Sequence, residues 1–229
     1  LKFAAVSPRG PASPPRCRAM AQALAPLALL LCSHSLGFAA GRPLAPLESR
    51  LAYIDAVVND TADRPKGWLA PLNSYLVALL GRLQLDLGVS GGVGEIGVYR
   101  GLFFLALAHA AARGERLFAC DSFGPEGAEG FLRNAERFGV DRQHIWLRRE
   151  SSSSLTPRLW RRQGIGQFRL LSVDGDHDAE AVVGDLRFAA AATAAGGIVL
   201  LDDFPNDLWM GVREGFYRWL PPINITRPR

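Results

Sequence analysis

Past residue 90 the apolar positions of this chain stop recurring at helical spacing and gather into short solid runs. Before that point two segments each carry one apolar stripe: Leu47, Leu51, Ile54 and Val58 along 47–58, and Leu72, Leu76, Leu79, Leu80 and Leu83 along 69–85. After it, apolar runs near 93–98, 116–120, 144–148, 168–173 and 197–201 alternate with helical stretches near 100–113, 126–138, 153–163, 178–194 and 207–219. A strand buried on both faces needs an uninterrupted apolar run, whereas a half-exposed strand alternates. Strand–helix alternation with such runs predicts an α/β fold with a doubly wound, mostly parallel sheet and helices on both faces. Ligands in such sheets bind where strands end, so functional side chains are expected there.

Residues 1–42 fit neither pattern. The segment 1–19 is rich in Pro, Arg and Ala, and the stretch after Met20 has an apolar run Leu24–Leu31 followed by small residues at Ala39 and Ala40. That order resembles the core and cleavage site of a signal peptide and is too short to span a membrane. The expected division is a targeting leader or disordered extension over 1–42, N-terminal helices over 43–90 and the α/β domain over 91–229. A leader of this kind addresses an organelle (plastid or mitochondrion) or the secretory pathway; without one the protein stays cytoplasmic.

Charge sharpens this division. Six of the 26 Lys and Arg residues fall in residues 1–50 against one acid, Glu48, so the rest of the chain holds 20 bases and 21 acids despite a formal net charge of +4. A nearly neutral domain argues against a nucleic-acid partner. Cys17 and Cys32 lie in the leader, so Cys120 alone remains in the domain and neither a disulfide nor a cysteine zinc site is expected there.

The chemistry concentrates at predicted strand ends. VGEIGVYRG, 93–101, runs from an apolar strand carrying Glu95 into Gly97 and Gly101 and then an apolar helix. A glycine turn at a helix N-terminus lets a ligand lie against bare backbone in a positive field. The next strand, LFACD, ends in Asp121, placed to hold the hydroxyls of a ribose, with Ser122 beside it. Glu95 is expected to meet a ligand ammonium or to anchor the turn. The serine run Ser151–Ser154, with Ser152 as the candidate, is expected to face a nucleoside base.

FRLLSVDGDH ends in Asp174, Asp176 and His177, and GGIVLLDDF in Asp202 and Asp203. Neighbouring strand ends lie about 5 Å apart, so Asp174, Asp202 and Asp203 are expected to converge on one divalent cation, or else to serve as caps and solvated acids. His177 is the candidate general base, with Asp174 beside it. Trp209 and Trp219 are expected to line an acceptor pocket or pack in the core.

These motifs resemble those of class I S-adenosylmethionine-dependent methyltransferases. VGEIGVYRG is similar to the first motif of that family, and Asp121 to the ribose acid of its second. VDGDH and LLDDF resemble the small-molecule O-methyltransferase branch of catechol and macrolide-sugar type. The resemblance covers about 66–220 and implies a Rossmann-like fold and S-adenosylmethionine as methyl donor. It further implies Glu95, Gly97, Gly101, Asp121, Ser122, Ser152 and Asp174 as cofactor contacts, Asp174, Asp202 and Asp203 as Mg2+ ligands, and a small-molecule hydroxyl as acceptor. A homodimer is allowed for. Two departures stand out: only PPINIT follows the last helix where the family has further strands, and no lysine is expected near the acids, which leaves His177 as base. The competing readings are an NAD(P)-dependent oxidoreductase, because Gly92–Gly97 spells GxGxxG, and a non-catalytic methyltransferase-like binding protein.

Overall fold

The computed structural model describes residues 2–5, 44–124, 127–162 and 166–220. Each predicted strand forms, within a few residues of its expected bounds. After β1 (Lys2–Ala5) come helices α1 (Leu47–Val58) and α2 (Pro71–Asp86), then β2 (Gly92–Ile96), α3 (Leu102–Ala110), β3 (Leu117–Cys120), α4 (Gly127–Arg137) and β4 (Ile145–Arg148). The chain continues through α5 (Pro157–Arg162), β5 (Phe168–Val173), α6 (Ala179–Ala192), β6 (Thr193–Leu201) and α7 (Met210–Trp219). The sheet order is β1-β6-β5-β2-β3-β4, with β2 to β6 parallel to their neighbours and β1 antiparallel to β6.

Side-chain alternation along the strands builds two cores. Val93, Leu117, Ala119, Leu170 and Leu200 face α1 to α4, while Ile96, Phe118, Cys120, Leu171, Val173, Val199 and Leu201 face α5 to α7. Phe168 joins the second group out of phase because the register shifts between it and Leu170. Eight of nine α3 residues are buried, which explains why that helix shows almost no polar face. Tyr53 of α1 donates its hydroxyl to the Leu102 carbonyl, and its ring meets His109 edge-on at 4.9 Å. Burial pushes the His109 pKa down to about 4, so this histidine is a neutral core residue, as its place on a predicted helix implies.

At the amino end of β5, Arg169 is fully buried. Its guanidinium donates to both carboxylate oxygens of Glu115 at 2.7 and 2.8 Å, to Gln84 Oε1 at 3.1 Å, and to the carbonyls of Gly81 and Ala110 at 3.3 and 2.7 Å. One side chain thus ties α2, α3 and the turn before β3 to the sheet.

One boundary differs from expectation. Residues 2–5 pair with β6, Lys2 opposite Leu201 and Ala5 opposite Ile198, so these four belong to the sheet and not to a segment outside the domain. They supply an antiparallel strand beside β6, where the sequence showed a shortage of strands after the last helix. The remainder of the expected leader, and the PPINIT segment, lie outside the described residues. Among the described residues no helix is long and apolar enough to cross a membrane.

Candidate functional site

The register fixes what stands at the carboxyl edge. Cys120, Ile96, Val173 and Leu201 lie side by side across β3, β2, β5 and β6. The residue after each therefore falls in one row: Asp121, Gly97, Asp174, Asp202. Backbone bonds hold that row in place, Gly97 N–H to the Cys120 carbonyl and Asp174 N–H to that of Ile96, both 2.8 Å, and Asp202 N–H to that of Val173, 3.1 Å. The chain adds strands to one side of β2 through β3 and β4, then crosses to β5 on the other. The gap between the ends of β2 and β5 is the switch point where such sheets bind ligands.

Gly97 has φ +85°, and a Cβ there would lie 1.7 Å from the Asp174 carbonyl oxygen. No other residue fits between these strand ends. The result is a bare backbone step flanked by carboxylates. Asp121 orders the loop around it, its Oδ2 accepting from Tyr99 N–H at 2.7 Å and its Oδ1 from Phe123 N–H at 2.6 Å. Each oxygen keeps a further lone pair, and Asp121 and Ser122 both line a cleft of about 770 Å³ over the row.

Glu95 is 1% exposed and lines the same cleft. It accepts from the Phe104 N–H in the first turn of α3, while Oε2 has no partner. Burial, and then the charges of Asp174, Asp202 and Asp121, hold its pKa well above the carboxylate range. Glu95 thus anchors the helix N-terminus through one oxygen, as one of its two sequence readings has it, and leaves the other oxygen buried without a partner. Asp174 behaves alike: burial, then Asp202, Asp203 and Asp121, push it up to about 8.

The expected metal trio is not the one brought together. The ligand atoms of Asp174, His177 and Asp203 lie within 4.8 Å of one another, and Asp202 lines the cleft outside that group. His177 Nε2 stands 3.0 Å from Asp203 Oδ2 and 4.0 Å from Asp174 Oδ1, without hydrogen-bond geometry to either. Its ring stacks on Trp209 at 4.3 Å and 15°. Asp203 has φ +52°, a left-handed backbone that is uncommon outside glycine and typical of constrained sites.

Three sequence expectations change. Gly101 was expected as a cofactor contact, but it does not line the cleft; its φ of +87° starts α3, and a Cβ there would meet Phe131 at 2.8 Å. Lys66 was expected far from the acids, but the α1–α2 connection brings Lys66, Gly67 and Trp68 to the cleft lining. Gly92 and Gly94 of the GxGxxG string lie inside β2, where Cβ atoms would meet the Arg116 carbonyl and Phe118 at 2.9 Å. They serve sheet packing, not a phosphate-binding turn, so the oxidoreductase reading loses its motif. Ser151, Ser152 and Trp209 line the cleft, and Trp219 packs on Phe216.

Sequence reasoning missed Asp185. It is 2% exposed on α6, accepts a hydrogen bond from the Ser152 hydroxyl and has one oxygen without a partner; burial pushes its pKa up to about 6. An acid among Val182, Leu186 and Ala189 on the apolar face of a helix was a readable signal.

With this geometry in hand, similarity to known proteins is informative. Residues 95–204 match the family described as a methyltransferase domain, from the buried carboxylate to just past the last acid pair. An O-methyltransferase from Bacillus cereus, solved with SAH, superposes with a TM-score of 0.55 at 19% identity, covering 76% of this chain and 79% of that one. TomG from Streptomyces achromogenes, an O-methyltransferase of tomaymycin synthesis solved with SAM, gives 0.55 at 18% over 76% and 78%. A Klebsiella pneumoniae chain assigned as an O-methyltransferase gives 0.56 at 21% over 72% and 76%. At these identities the likeness to solved structures is one of fold. No curated protein matches the sequence.

Proposed function

We propose that this chain, which carries a class I S-adenosylmethionine-dependent methyltransferase domain, methylates a hydroxyl group of a small molecule. The observation that carries the reading is the row Asp121–Gly97–Asp174 at the switch point with the orphaned Glu95 carboxyl behind it. The residues fit the donor: a buried acceptor for an ammonium, a backbone step without a side chain, and a carboxylate with free lone pairs for two ribose hydroxyls. Bound there, S-adenosylmethionine supplies a methyl group already activated on a sulfonium centre.

What remains for the protein is alignment and proton management. Asp121 fixes the ribose end, and its two backbone bonds keep its carboxylate from turning away. Glu95 holds the cationic end, where rigid burial removes competing water. His177 lines the cleft, its Nε2 has no hydrogen-bond partner, and it is the candidate to take the proton of the acceptor hydroxyl, with Asp203 beside it.

The trio Asp174, His177 and Asp203 would also fit a divalent cation, as an alternative to the free base: with His177 as a ligand, the cation would lower the pKa of an acceptor oxygen in place of the imidazole taking its proton. Two carboxylates and one imidazole suit Mn2+ or a related ion better than Mg2+, which prefers oxygen alone.

Calorimetric titration of the full chain with S-adenosylhomocysteine, with NADH as control, tests the reading. Micromolar binding that Asp121→Ala abolishes supports it. NADH binding, or a folded protein that binds neither, overturns it.

A further inference from the structure

One buried acid beside the cleft plays no part in the steps above, and its role rests on the methyl-transfer reading. Asp185 lies on the apolar face of α6 and is 2% exposed. It accepts from the Ser152 hydroxyl, while its Oδ2 has no partner. A missing side chain makes room for this contact. A Cβ on Gly175, the residue after Asp174, would lie 2.9 Å from Asp185 Oδ2, 3.2 Å from Ile96 Cγ2 and 3.7 Å from Ser152 Oγ. The turn after β5, the loop after β4 and helix α6 thus meet under one corner of the cleft. Ser152, Gly175 and Ile96 belong to the cleft lining and Asp185 does not, so Asp185 reaches a ligand there only through Ser152. Burial of a half-satisfied acid is costly, and a leucine would serve this apolar helix face better.

The consequence is one of hydrogen-bond polarity. A serine hydroxyl has a single hydrogen and two lone pairs, and an ionised carboxylate only accepts. Burial pushes the Asp185 pKa up to about 6, so at higher pH the Ser152 hydrogen is committed to Asp185. Ser152 then presents only lone pairs to the cleft. Its neighbour is set the opposite way. Ser151 Oγ accepts from the Ser153 N–H at 3.3 Å and from the Ser153 hydroxyl at 3.0 Å, which leaves its own hydrogen to give. Ser151 also lines the cleft. The two hydroxyls therefore offer, side by side, one donor and one acceptor. Adenine presents a matching edge, an amino group that donates next to a ring nitrogen that accepts. A purine with an oxo group in place of the amino group presents the reverse.

We propose that Asp185 is a positioning residue for donor selection: by holding the Ser152 hydrogen, it makes the Ser151–Ser152 pair read the amino edge of adenine and reject an oxopurine nucleoside.

The test is calorimetry on the full chain at pH 8, comparing S-adenosylhomocysteine with S-inosylhomocysteine, in which an oxo group replaces the amino group and the adjacent ring nitrogen carries a hydrogen. The wild-type protein binds the adenosyl compound at least about thirtyfold more tightly. Asp185→Asn lowers that preference by about tenfold, because the amide donates to Ser152 and frees the hydroxyl hydrogen for the oxo group. Ser152→Ala lowers it by about the same factor, and the double variant falls no further than Ser152→Ala alone, since Asp185 acts through that hydroxyl. An acid with only a structural role would weaken both ligands alike and leave the preference unchanged. Circular dichroism checks folding, and Ser152→Ala, a loop change, carries the test if Asp185→Asn does not fold. A preference absent in the wild-type protein, unchanged in the folded variants, or lower still in the double variant overturns the proposal while leaving methyl transfer intact. Failure of S-adenosylhomocysteine to bind the folded wild-type protein overturns the methyl-transfer reading, and this one with it.

Discussion

The two ends of the β5 strand treat buried charge in opposite ways. At the amino end, Arg169 is enclosed and every direction of its guanidinium is met, by Glu115, Gln84 and two carbonyls. At the carboxyl end, Glu95 and Asp174 are crowded by Asp121, Asp202 and Asp203, and Glu95 Oε2 has no partner at all. The first arrangement fixes three elements and asks for nothing further. The second is incomplete, and that incompleteness is what the proposed cationic donor would answer. Unpaired buried carboxylates are costly and cluster at functional sites, so the sheet is stabilised at one edge and left poised at the other.

Perturbing the poised edge where backbone meets backbone has the largest effect. Gly97→Ala forces apart the ends of β2 and β5 and destabilises the protein by about 4 kcal/mol or more, measured by urea unfolding. Arg169→Met strands Glu115 and two carbonyls and costs about 3–5 kcal/mol, read in the same assay, with no specific loss of cofactor affinity at temperatures where the variant remains folded. Glu95→Gln acts in the other direction. It removes an uncompensated buried acid and raises ligand-free stability at pH 8 by about 1–3 kcal/mol, while calorimetry shows weaker S-adenosylmethionine binding. Trp68→Ala, at a side chain that touches little but Tyr99, leaves stability within about 0.5 kcal/mol by thermal unfolding. If Glu95→Gln destabilised the protein as Arg169→Met does, the contrast between the edges would fail.

Much of this edge is legible in the sequence, because strand ends are marked by where apolar runs stop. Asp121, Asp174 and Asp202 each follow such a run directly, and the register of a parallel sheet then aligns them. Legibility fails where position depends on the path of a connection. Nothing local to Lys66 or Trp68 says that the α1–α2 connection reaches the cleft, and LDD does not say which of its two acids turns toward His177. The left-handed backbone at Asp203 decides that. Gly92 and Gly94 misled in the other direction: a glycine string reads as a turn until burial against Phe118 and the Arg116 carbonyl explains it. Lys2–Ala5, remote from β6 in sequence, carried no local sign of joining the sheet; its pairing is a long-range property of the fold.

The central claim is that the carboxyl edge holds unpaired acid which a cationic ligand relieves. Thermal stability of the full chain from pH 5 to pH 9, with and without saturating S-adenosylmethionine, tests it most directly. Glu95 and Asp174 have folded pKa values above their unfolded ones, so the folded state holds more protons between those values and stability falls as pH rises, for Asp174 from near 4 to about 8. The ligand-free protein is therefore expected to lose stability toward pH 9, and the ligand to restore more at pH 9 than at pH 5. A ligand-free profile that is flat or rises across this window, or a ligand that stabilises at no pH, would contradict the account.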